Sequence, residues 1–159
     1  MLYYKCTTNG GNMKITEQQS KRIMALDVSG YGGYDSEIAE ALGFTRESAK
    51  FYDAIDTNGN KYEFKKQASQ QWIDVFKMSQ MSDDEKKIPV LFFIHKEGKI
   101  TEIYETNYKK LIKKMGMDSS DLQAINELYD REAITKSIQM KSPINYSSIK
   151  TFKKIWKKT

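Results

Sequence analysis

Cysteine, histidine and proline are scarce in this 159-residue chain. The shortages of cysteine and histidine exclude two classes of site, and the shortage of proline bears on order in the chain. The single cysteine, Cys6, cannot form a disulfide within the chain or supply a multi-cysteine zinc site. The single histidine, His95, excludes a metal site built from several histidines. We expect it to end an apolar strand, without a role in a Ser-His-Asp triad. Only two prolines are present, which is typical of an ordered, globular protein.

Long apolar runs are also missing. The first residues, Met-Leu-Tyr-Tyr-Lys-Cys, lack the apolar core of a signal peptide, and no later segment is apolar enough to span a membrane. Together with the single cysteine, this predicts a cytoplasmic protein that does not engage a membrane. We expect one domain over residues 1–159, because no repeat or low-complexity linker divides the chain.

The net charge of +5 is distributed unevenly. Lysines cluster at 109–114 and 150–158, and the second run includes Phe152 and Trp156. Basic runs with aromatic residues between them fit contact with a phosphate backbone. A solvated helix end explains each run taken alone equally well. The charge is therefore compatible with a nucleic-acid partner without requiring one.

Capping residues and apolar spacing predict helices at 17–27, 37–42, 107–115 and 119–130, with a brief helical turn at 45–50. β-Branched and aromatic residues predict strands at 51–56, 61–67, 88–95 and 99–105, with a short strand near 144–149. This succession predicts an α/β (α+β) fold, in which helices flank a mixed β-sheet.

The most informative segment is 53–65, which places Asp53 before a turn and Glu63 and Lys65 after it. A two-residue turn at Asn58-Gly59 would put Asp53 on the face that Glu63 does not use. A three-residue loop, 57–59, puts Asp53 opposite Glu63, because strand side chains alternate between faces. Asp56 suits the first position of such a turn and Gly59 its left-handed position. With this register the three charged side chains share one face.

Two carboxylates and a lysine on one face predict a metal-dependent phosphodiesterase. Asp53 and Glu63 would ligate Mg²⁺, with the backbone carbonyl of Phe64 as a further oxygen ligand. Lys65 would orient the attacking water or stabilise the developing charge on the phosphate. The pattern alone also occurs in exposed hairpins with ordinary surface charges, so the spacing is a weak signal by itself.

Residues 53–65, Asp-Ala-Ile-Asp-x-x-Gly-x-x-Tyr-Glu-Phe-Lys, resemble the active-site hairpin of PvuII-like Type II restriction endonucleases, in the PD-(D/E)xK nuclease superfamily. Upstream, Gly32-Gly33 and Gly43-Phe44-Thr45 keep a similar spacing to the hairpin. Downstream, 88–94 and 100–104 resemble the strand pair that follows it. Ser142-Pro143-Ile144 is similar to a further segment that contributes to DNA recognition in the family.

The resemblance implies a homodimer that cleaves double-stranded DNA at a short palindromic site with Mg²⁺. It implies Asp53, Glu63 and Lys65 as the catalytic residues, and Asp53, Glu63 and Phe64 as the metal ligands. A restriction enzyme also requires a cognate DNA methyltransferase in its host. The resemblance divides the chain into a dimerisation segment (1–31), a catalytic core (32–105) and a helical, basic C-terminal part with DNA contacts (106–159).

The residues that would read the DNA depart from the family pattern. Histidines contribute to recognition in the family, between the catalytic lysine and the next strand, but this chain has none there. Glutamine and serine can contact base edges, and glutamine can bind adenine through two hydrogen bonds. The candidate DNA-binding residues are Gln67, Ser69, Gln70, Gln71, Trp72, Ser142 and Asn145.

Three other functions share these features. A homing endonuclease or a junction resolvase could carry the same three catalytic residues on the same fold. A DNA-binding regulator is the third alternative, because residues 37–50 also resemble the start of a helix-turn-helix with Gly43 at the turn.

For a dimer, the amphipathic helix at 17–27, with apolar Ile23, Met24 and Leu26, is the expected interface.

Overall fold

A six-stranded mixed β-sheet forms the centre of the molecule, with helices packed on both of its faces. The computed structural model describes residues 13–30, 34–67, 70–130 and 141–159. The architecture is therefore of the mixed α+β class that the sequence predicts.

The helices have clear sequence boundaries. They are α1 (Glu17–Met24), α2 (Tyr34–Leu42), α3 (Val75–Ser79), α4 (Tyr108–Lys114), α5 (Ser119–Asp130) and α6 (Tyr146–Ile149), with a 3-10 helix at Glu85–Lys87. Thr16 and Gln19 form a capping box at the start of α1, as the sequence predicts. Asn107 caps α4, and Gly116 follows that helix with φ of 78°.

The strands are β1 (Thr45–Arg46), β2 (Ala54–Ile55), β3 (Lys61–Gln67), β4 (Gln70–Asp74), β5 (Pro89–Lys96), β6 (Lys99–Asn107), β7 (Lys141–Asn145) and β8 (Lys153–Lys157). The order in the large sheet is β1-β2-β3-β5-β6-β8. Strands β3 and β5 pair in parallel, and the other neighbours pair antiparallel. Strands β4 and β7 pair with each other as a separate antiparallel ribbon.

Strand β5 explains how one sheet carries two cores. Its residues from Pro89 to Ile94 are all buried, as expected of a central strand covered on both faces. Phe92 contributes to the core under α3, α4 and α5, whereas Phe93 contributes to the core under α1 and α2. This alternation places β3, the neighbour of β5, between the two layers.

Several predicted elements are confirmed. The strand expected at 61–67 has those bounds, and the strands expected at 88–95 and 99–105 lie within one or two residues of β5 and β6. The helices expected at 107–115 and 119–130 correspond to α4 and α5. The helix expected at 17–27 ends earlier, at Met24.

The helical turn expected at 45–50 is wrong. Thr45 and Arg46 form β1, which pairs with Ala54 and Ile55, because the neighbouring hairpin offers a strand edge. Six residues have too little intrinsic helix stability to resist such pairing. No second helix follows α2 within the described residues 43–53, so the helix-turn-helix reading lacks its recognition helix.

Other boundaries differ as well. The strand expected at 51–56 is reduced to Ala54–Ile55. The strand expected near 144–149 ends at Asn145, whose side chain accepts a hydrogen bond from the Ser148 N–H and so starts α6. The basic C-terminal run was not predicted as a strand, but Lys153–Lys157 pairs with β6 at the edge of the sheet. Lysines suit an edge strand, where they discourage pairing with another chain.

The predicted dimer helix, α1, uses part of its apolar surface within the chain. Ile23 is fully buried in the core under α1 and α2, whereas Met24 is exposed. Residues 1–12 and 31 of the predicted dimerisation segment lie outside the described part. The longest described helix, α5, has 12 residues, and none of the described helices combines the length and apolar character needed to cross a membrane.

The turn between β5 and β6 depends on glycine at position 98. Gly98 has φ of 86°, and a Cβ added there would lie 2.2 Å from Asp27 Oδ1 and 2.8 Å from Ser29 Cβ. The Gly98 carbonyl also accepts a hydrogen bond of 2.8 Å from the Val28 N–H. The chain after α1 is therefore packed directly against this turn.

Replacing Gly98 with alanine is expected to lower the free energy of unfolding by about 2–3 kcal/mol, from backbone strain plus the clash. Gly43→Ala is the matched control, because Gly43 has φ of 77° with open space around it. The control should lose only about 1 kcal/mol. Urea unfolding measures both variants, and equal losses would show that the contact with 27–29 carries no energy.

Candidate functional site

The hairpin before β3 has the three-residue loop that the sequence predicts. The Gly59 N–H donates to the Asp56 carbonyl at 3.1 Å, and Gly59 has φ of 85°. Asp56 Oδ1 accepts from the N–H groups of Asn58 and Asn60, each at 2.9 Å. Asp56 therefore builds the turn, as predicted, and leaves the site to other carboxylates.

The predicted register follows from this loop. Ala54 pairs with Tyr62, which places Asp53 beside Glu63 at the end of β2. Asp53 Oδ2 accepts a hydrogen bond of 2.8 Å from the Phe64 N–H. Asp53 and Glu63 are close enough that each shifts the pKa of the other. Two acidic side chains thus meet at one point.

The two carboxyl groups have opposite pKa shifts. Burial raises the pKa of Asp53 to about 7, and the hydrogen bond and negative charge of Glu63 add to the shift. Burial opposes ionisation of Glu63 too, but the positive charge of Lys65 and the hydrogen bond from Asp53 outweigh it. The pKa of Glu63 therefore lies below its usual value, and Glu63 is the ionised member of the pair.

Glu63 is held by three donors that converge on one oxygen. Glu63 Oε2 lies 3.3 Å from Lys65 Nζ and 3.3 Å from Lys77 Nζ, and it accepts a hydrogen bond of 2.8 Å from the Tyr108 hydroxyl. The residue is only 3% exposed. A buried carboxylate is stable only when such partners compensate for its lost hydration. The position of Glu63 is therefore fixed by β3, α3 and α4 together.

The fold thus brings the three predicted catalytic residues together. Two of them, Asp53 and Glu63, offer carboxylate oxygens, which are the ligands that Mg²⁺ prefers. Within the described residues, no group of three or more His, Cys, Asp or Glu side chains is arranged to hold a metal ion. Mg²⁺ commonly uses only one or two carboxylates and completes its shell with water and substrate oxygens. Asp53 and Glu63 fit that demand, since a cation between them would offset the negative charge of both carboxylates.

The direction of the Phe64 carbonyl follows from the hydrogen bond of its own N–H group. The N–H and C=O of one strand residue point to the same side of the strand. Because the Phe64 N–H donates to Asp53, its carbonyl faces the Asp53 side of β3 as well. The Phe64 side chain is buried in the core under α1 and α2, so the backbone is the part available to the site.

A third acidic residue, Asp35, lies close enough to influence the pair. Asp35 Oδ2 lies 3.7 Å from Arg46 Nη2, and its Oδ1 is buried without a hydrogen-bond partner in the described part of the chain. Burial raises the pKa of Asp35, and the negative charge of Glu63 adds to that shift. Nothing local in the sequence indicates this approach, because Asp35 lies just before the helix predicted at 37–42 and suits an ordinary capping position there.

The predicted DNA-binding residues fall into different environments. Gln67, at the end of β3, is 2% exposed, and neither of its amide atoms has a partner among the described residues. Burial therefore keeps Gln67 from contacting a surface ligand directly in this structure. Ser69 lies outside the described residues. Asn145 uses its side chain to cap α6.

The remaining candidates lie together on the β4·β7 ribbon. Gln70 pairs with Asn145, Gln71 with Ile144 and Trp72 with Pro143. Ser142 pairs with Ile73 in the same ribbon. The Trp72 side chain is 53% exposed, whereas Ile73 and Ile144 are buried in the core. Two segments about 70 residues apart, both predicted to contact DNA, are therefore adjacent in space.

Two residues at the site were missed in the sequence. Lys77 comes from α3 and Tyr108 from the first turn of α4, and both bind Glu63 Oε2. Burial and the charge of Glu63 raise the pKa of Tyr108 well above its usual value, so it donates as a neutral hydroxyl. Neither residue belongs to a motif with Glu63, so only the tertiary fold reveals them.

No protein-family model matches the chain, and no curated protein matches it.

Proposed function

We propose that this chain is a Mg²⁺-dependent Type II restriction endonuclease that cleaves double-stranded DNA at a specific short palindromic site. The observation that carries the proposal is the convergence of Asp53, Glu63 and Lys65 on one face of β3, where Lys65 Nζ lies 3.3 Å from Glu63 Oε2 and Asp53 accepts from the Phe64 N–H. A restriction-endonuclease-like sheet, a homodimer and a protecting DNA methyltransferase in the host belong to the same proposal.

Asp53, Glu63 and the Phe64 carbonyl would hold the metal. Bound Mg²⁺ polarises the phosphate and lowers the pKa of a water ligand. Asp53 must lose its proton for this role, and a pKa near 7 allows that at neutral pH. Glu63 is already ionised and is held in place by the Tyr108 hydroxyl at 2.8 Å.

Lys65 would act on the reacting groups. In phosphodiester hydrolysis, a water oxygen forms a bond to phosphorus while the bond to one ester oxygen breaks. Lys65 Nζ, 3.3 Å from Glu63 and partly exposed, would orient that water or stabilise the negative charge that develops on the phosphate oxygens.

The β4·β7 ribbon would contact the DNA. A two-stranded ribbon fits the major groove of B-DNA, where base edges can be distinguished. The exposed Trp72 on β4 and Ser142 on β7 are the described candidates for this contact, and the net charge of +5 favours a polyanion. Because Gln67 is buried, it is left out of this surface.

A homodimer would give two active sites for the two DNA strands of a palindrome. Helix α1, with Met24 exposed, is the proposed interface. Sedimentation should show a dimer, with or without DNA. A monomer under both conditions would contradict this part of the proposal.

Incubation with phage DNA and Mg²⁺ tests the proposed activity. A restriction enzyme produces discrete fragments, and sequencing their ends gives the recognition site and the cut position. Cleavage of branched DNA alone would indicate a junction resolvase. Cleavage at a single rare site would indicate a homing endonuclease. Binding without cleavage would indicate a regulator. EDTA should abolish cleavage if the activity depends on the metal.

A further inference from the structure

Lys77 is fixed beside the candidate site by its own short helix. Asp74 Oδ1 accepts a hydrogen bond of 3.0 Å from the Lys77 N–H and so caps α3. Val75 and Met78 of the same helix are buried in the core. The cap and the two buried neighbours therefore fix the backbone of Lys77. Its side chain reaches Glu63, with Nζ 3.3 Å from Oε2.

Glu63 carries one negative charge and has two cationic partners. The ammonium groups of Lys65 and Lys77 each lie 3.3 Å from the same carboxylate oxygen, Glu63 Oε2. The side chain of Glu63 is buried, whereas those of Lys65 and Lys77 are 18% and 25% exposed. The two ammonium groups are therefore the partly exposed members of this cluster. An anion is the group that two neighbouring ammonium groups attract.

The two lysines can reach one phosphate from different directions. Each Nζ is 3.3 Å from the same oxygen, so the two nitrogen atoms are less than ~7 Å apart. Lys65 extends from β3, in the strand that carries Glu63. Lys77 extends from α3, which begins immediately after β4 of the ribbon that carries Trp72. Lys77 thus joins the carboxylates to the chain segment that follows the proposed DNA-binding surface.

We propose that Lys77 is a second phosphate-binding residue of the site, contacting a non-bridging oxygen of the DNA phosphodiester next to the carboxylate pair. Lys65 is then available for the water and the developing charge. This inference rests on the proposed nuclease function, because it takes DNA as the source of the phosphate. The competing role for Lys77 is only to neutralise Glu63 within the fold.

DNA binding in EDTA separates the two roles, since nothing is cut under that condition. Lys77→Gln is expected to weaken the binding of a duplex about fivefold to tenfold and to reduce the slope of log affinity against log salt by about 1. Lys77→Arg should keep both values near those of the parent, since it keeps the charge. Fluorescence anisotropy across a salt series measures the affinity and the slope together.

Lys99→Gln is the matched control, because Lys99 is exposed and contacts only the Leu26 carbonyl, at 3.5 Å, among the described hydrogen bonds. Thermal unfolding of every variant shows whether the fold is kept. If Lys77→Gln unfolds, the comparison is made in Glu63→Gln, which needs no neutralising cation. The double variant Glu63→Gln/Lys77→Gln should then bind DNA more weakly than Glu63→Gln alone and with a smaller salt slope, whereas equal binding would overturn the inference. A role confined to Glu63 would lower the melting temperature of Lys77→Gln and leave the salt slope unchanged, which would overturn the inference.

The same experiment distinguishes failure of the proposed function. If the parent protein binds duplex DNA but does not cut it with Mg²⁺, the nuclease proposal fails, and the salt slope still decides the role of Lys77. If the parent protein does not bind duplex DNA, both proposals fail. With an active parent, single-turnover cleavage by Lys77→Gln should fall about tenfold or more, and Lys77→Arg should recover most of it.

Discussion

Alanine at position 65 is expected to reduce single-turnover DNA cleavage by about a thousandfold or more while the protein stays folded. Removing one preorganised donor from a developing negative charge costs about 10²–10³ in rate, and loss of water orientation adds to it. The fold should tolerate the change, because Lys77 and Tyr108 still contact Glu63. The buried carboxylate is then not left without partners.

Lys61→Ala is the control for this variant, since Lys61 lies on the same strand but is exposed and contacts the Tyr52 ring. It should cleave DNA at a rate near that of the parent. Mg²⁺ binding by Lys65→Ala, measured by calorimetry, should be unchanged or tighter, because a positive charge next to Glu63 is removed. A Lys65→Ala protein that cuts as fast as the parent would falsify the site assignment.

The part of the site that could be predicted from the sequence is the part built by local rules. Segment 53–65 is short, and its loop length is set by the turn chemistry of Asp56 and Gly59. Because side chains alternate along a strand, the loop length alone decides whether Asp53 meets Glu63. The observed register has Ala54 opposite Tyr62, as the three-residue loop requires.

Lys77 and Tyr108 could not be predicted in this way. They lie 14 and 45 residues from Glu63 along the chain, and each contacts it through the packing of its own helix, α3 or α4, in the folded protein. A lysine on a short helix and a tyrosine at a helix start have many ordinary roles on protein surfaces and in cores. Their contact with a buried carboxylate is a property of the tertiary fold.

The strands that were missed show the same limit. Strand β8 is rich in lysine and β1 has two residues, so intrinsic preference indicates neither of them. Each forms because a neighbouring strand, β6 or β2, offers an unpaired edge. The long apolar strand β5 can be recognised from its own residues. The bounds expected from the sequence differ from the observed bounds by less than two residues.

Asparagine at position 53 is expected to abolish Mg²⁺-dependent cleavage and to stabilise the metal-free protein above pH 7. Asparagine keeps the size of the side chain and can still accept the Phe64 N–H and donate to Glu63. It cannot carry the negative charge that would help to hold the cation. The rate should therefore fall by about 10³ or more, as expected when a metal site is lost.

The stability change has a definite sign. In the folded protein the pKa of Asp53 is about 7, against 3.8 for the unperturbed group. Between these pH values the folded chain keeps a proton that the unfolded chain has lost, so rising pH favours unfolding, and the loss is complete above about pH 7. Solvent exposure and coupling to Glu63 reduce the effect. We therefore expect the free energy of unfolding of the parent to fall by about 1–2 kcal/mol as the pH rises, a loss that Asp53→Asn does not show.

Urea unfolding at pH 5 and pH 8.5, with and without Mg²⁺, measures this difference. Without metal, the advantage of Asp53→Asn over the parent should grow from pH 5 to pH 8.5. With Mg²⁺, the parent should gain stability by mass action, more at pH 8.5 than at pH 5, because at pH 5 the cation must displace the proton of Asp53. The variant should gain little at either pH. Equal stabilisation of both proteins by Mg²⁺ would place the metal somewhere other than the Asp53–Glu63 pair.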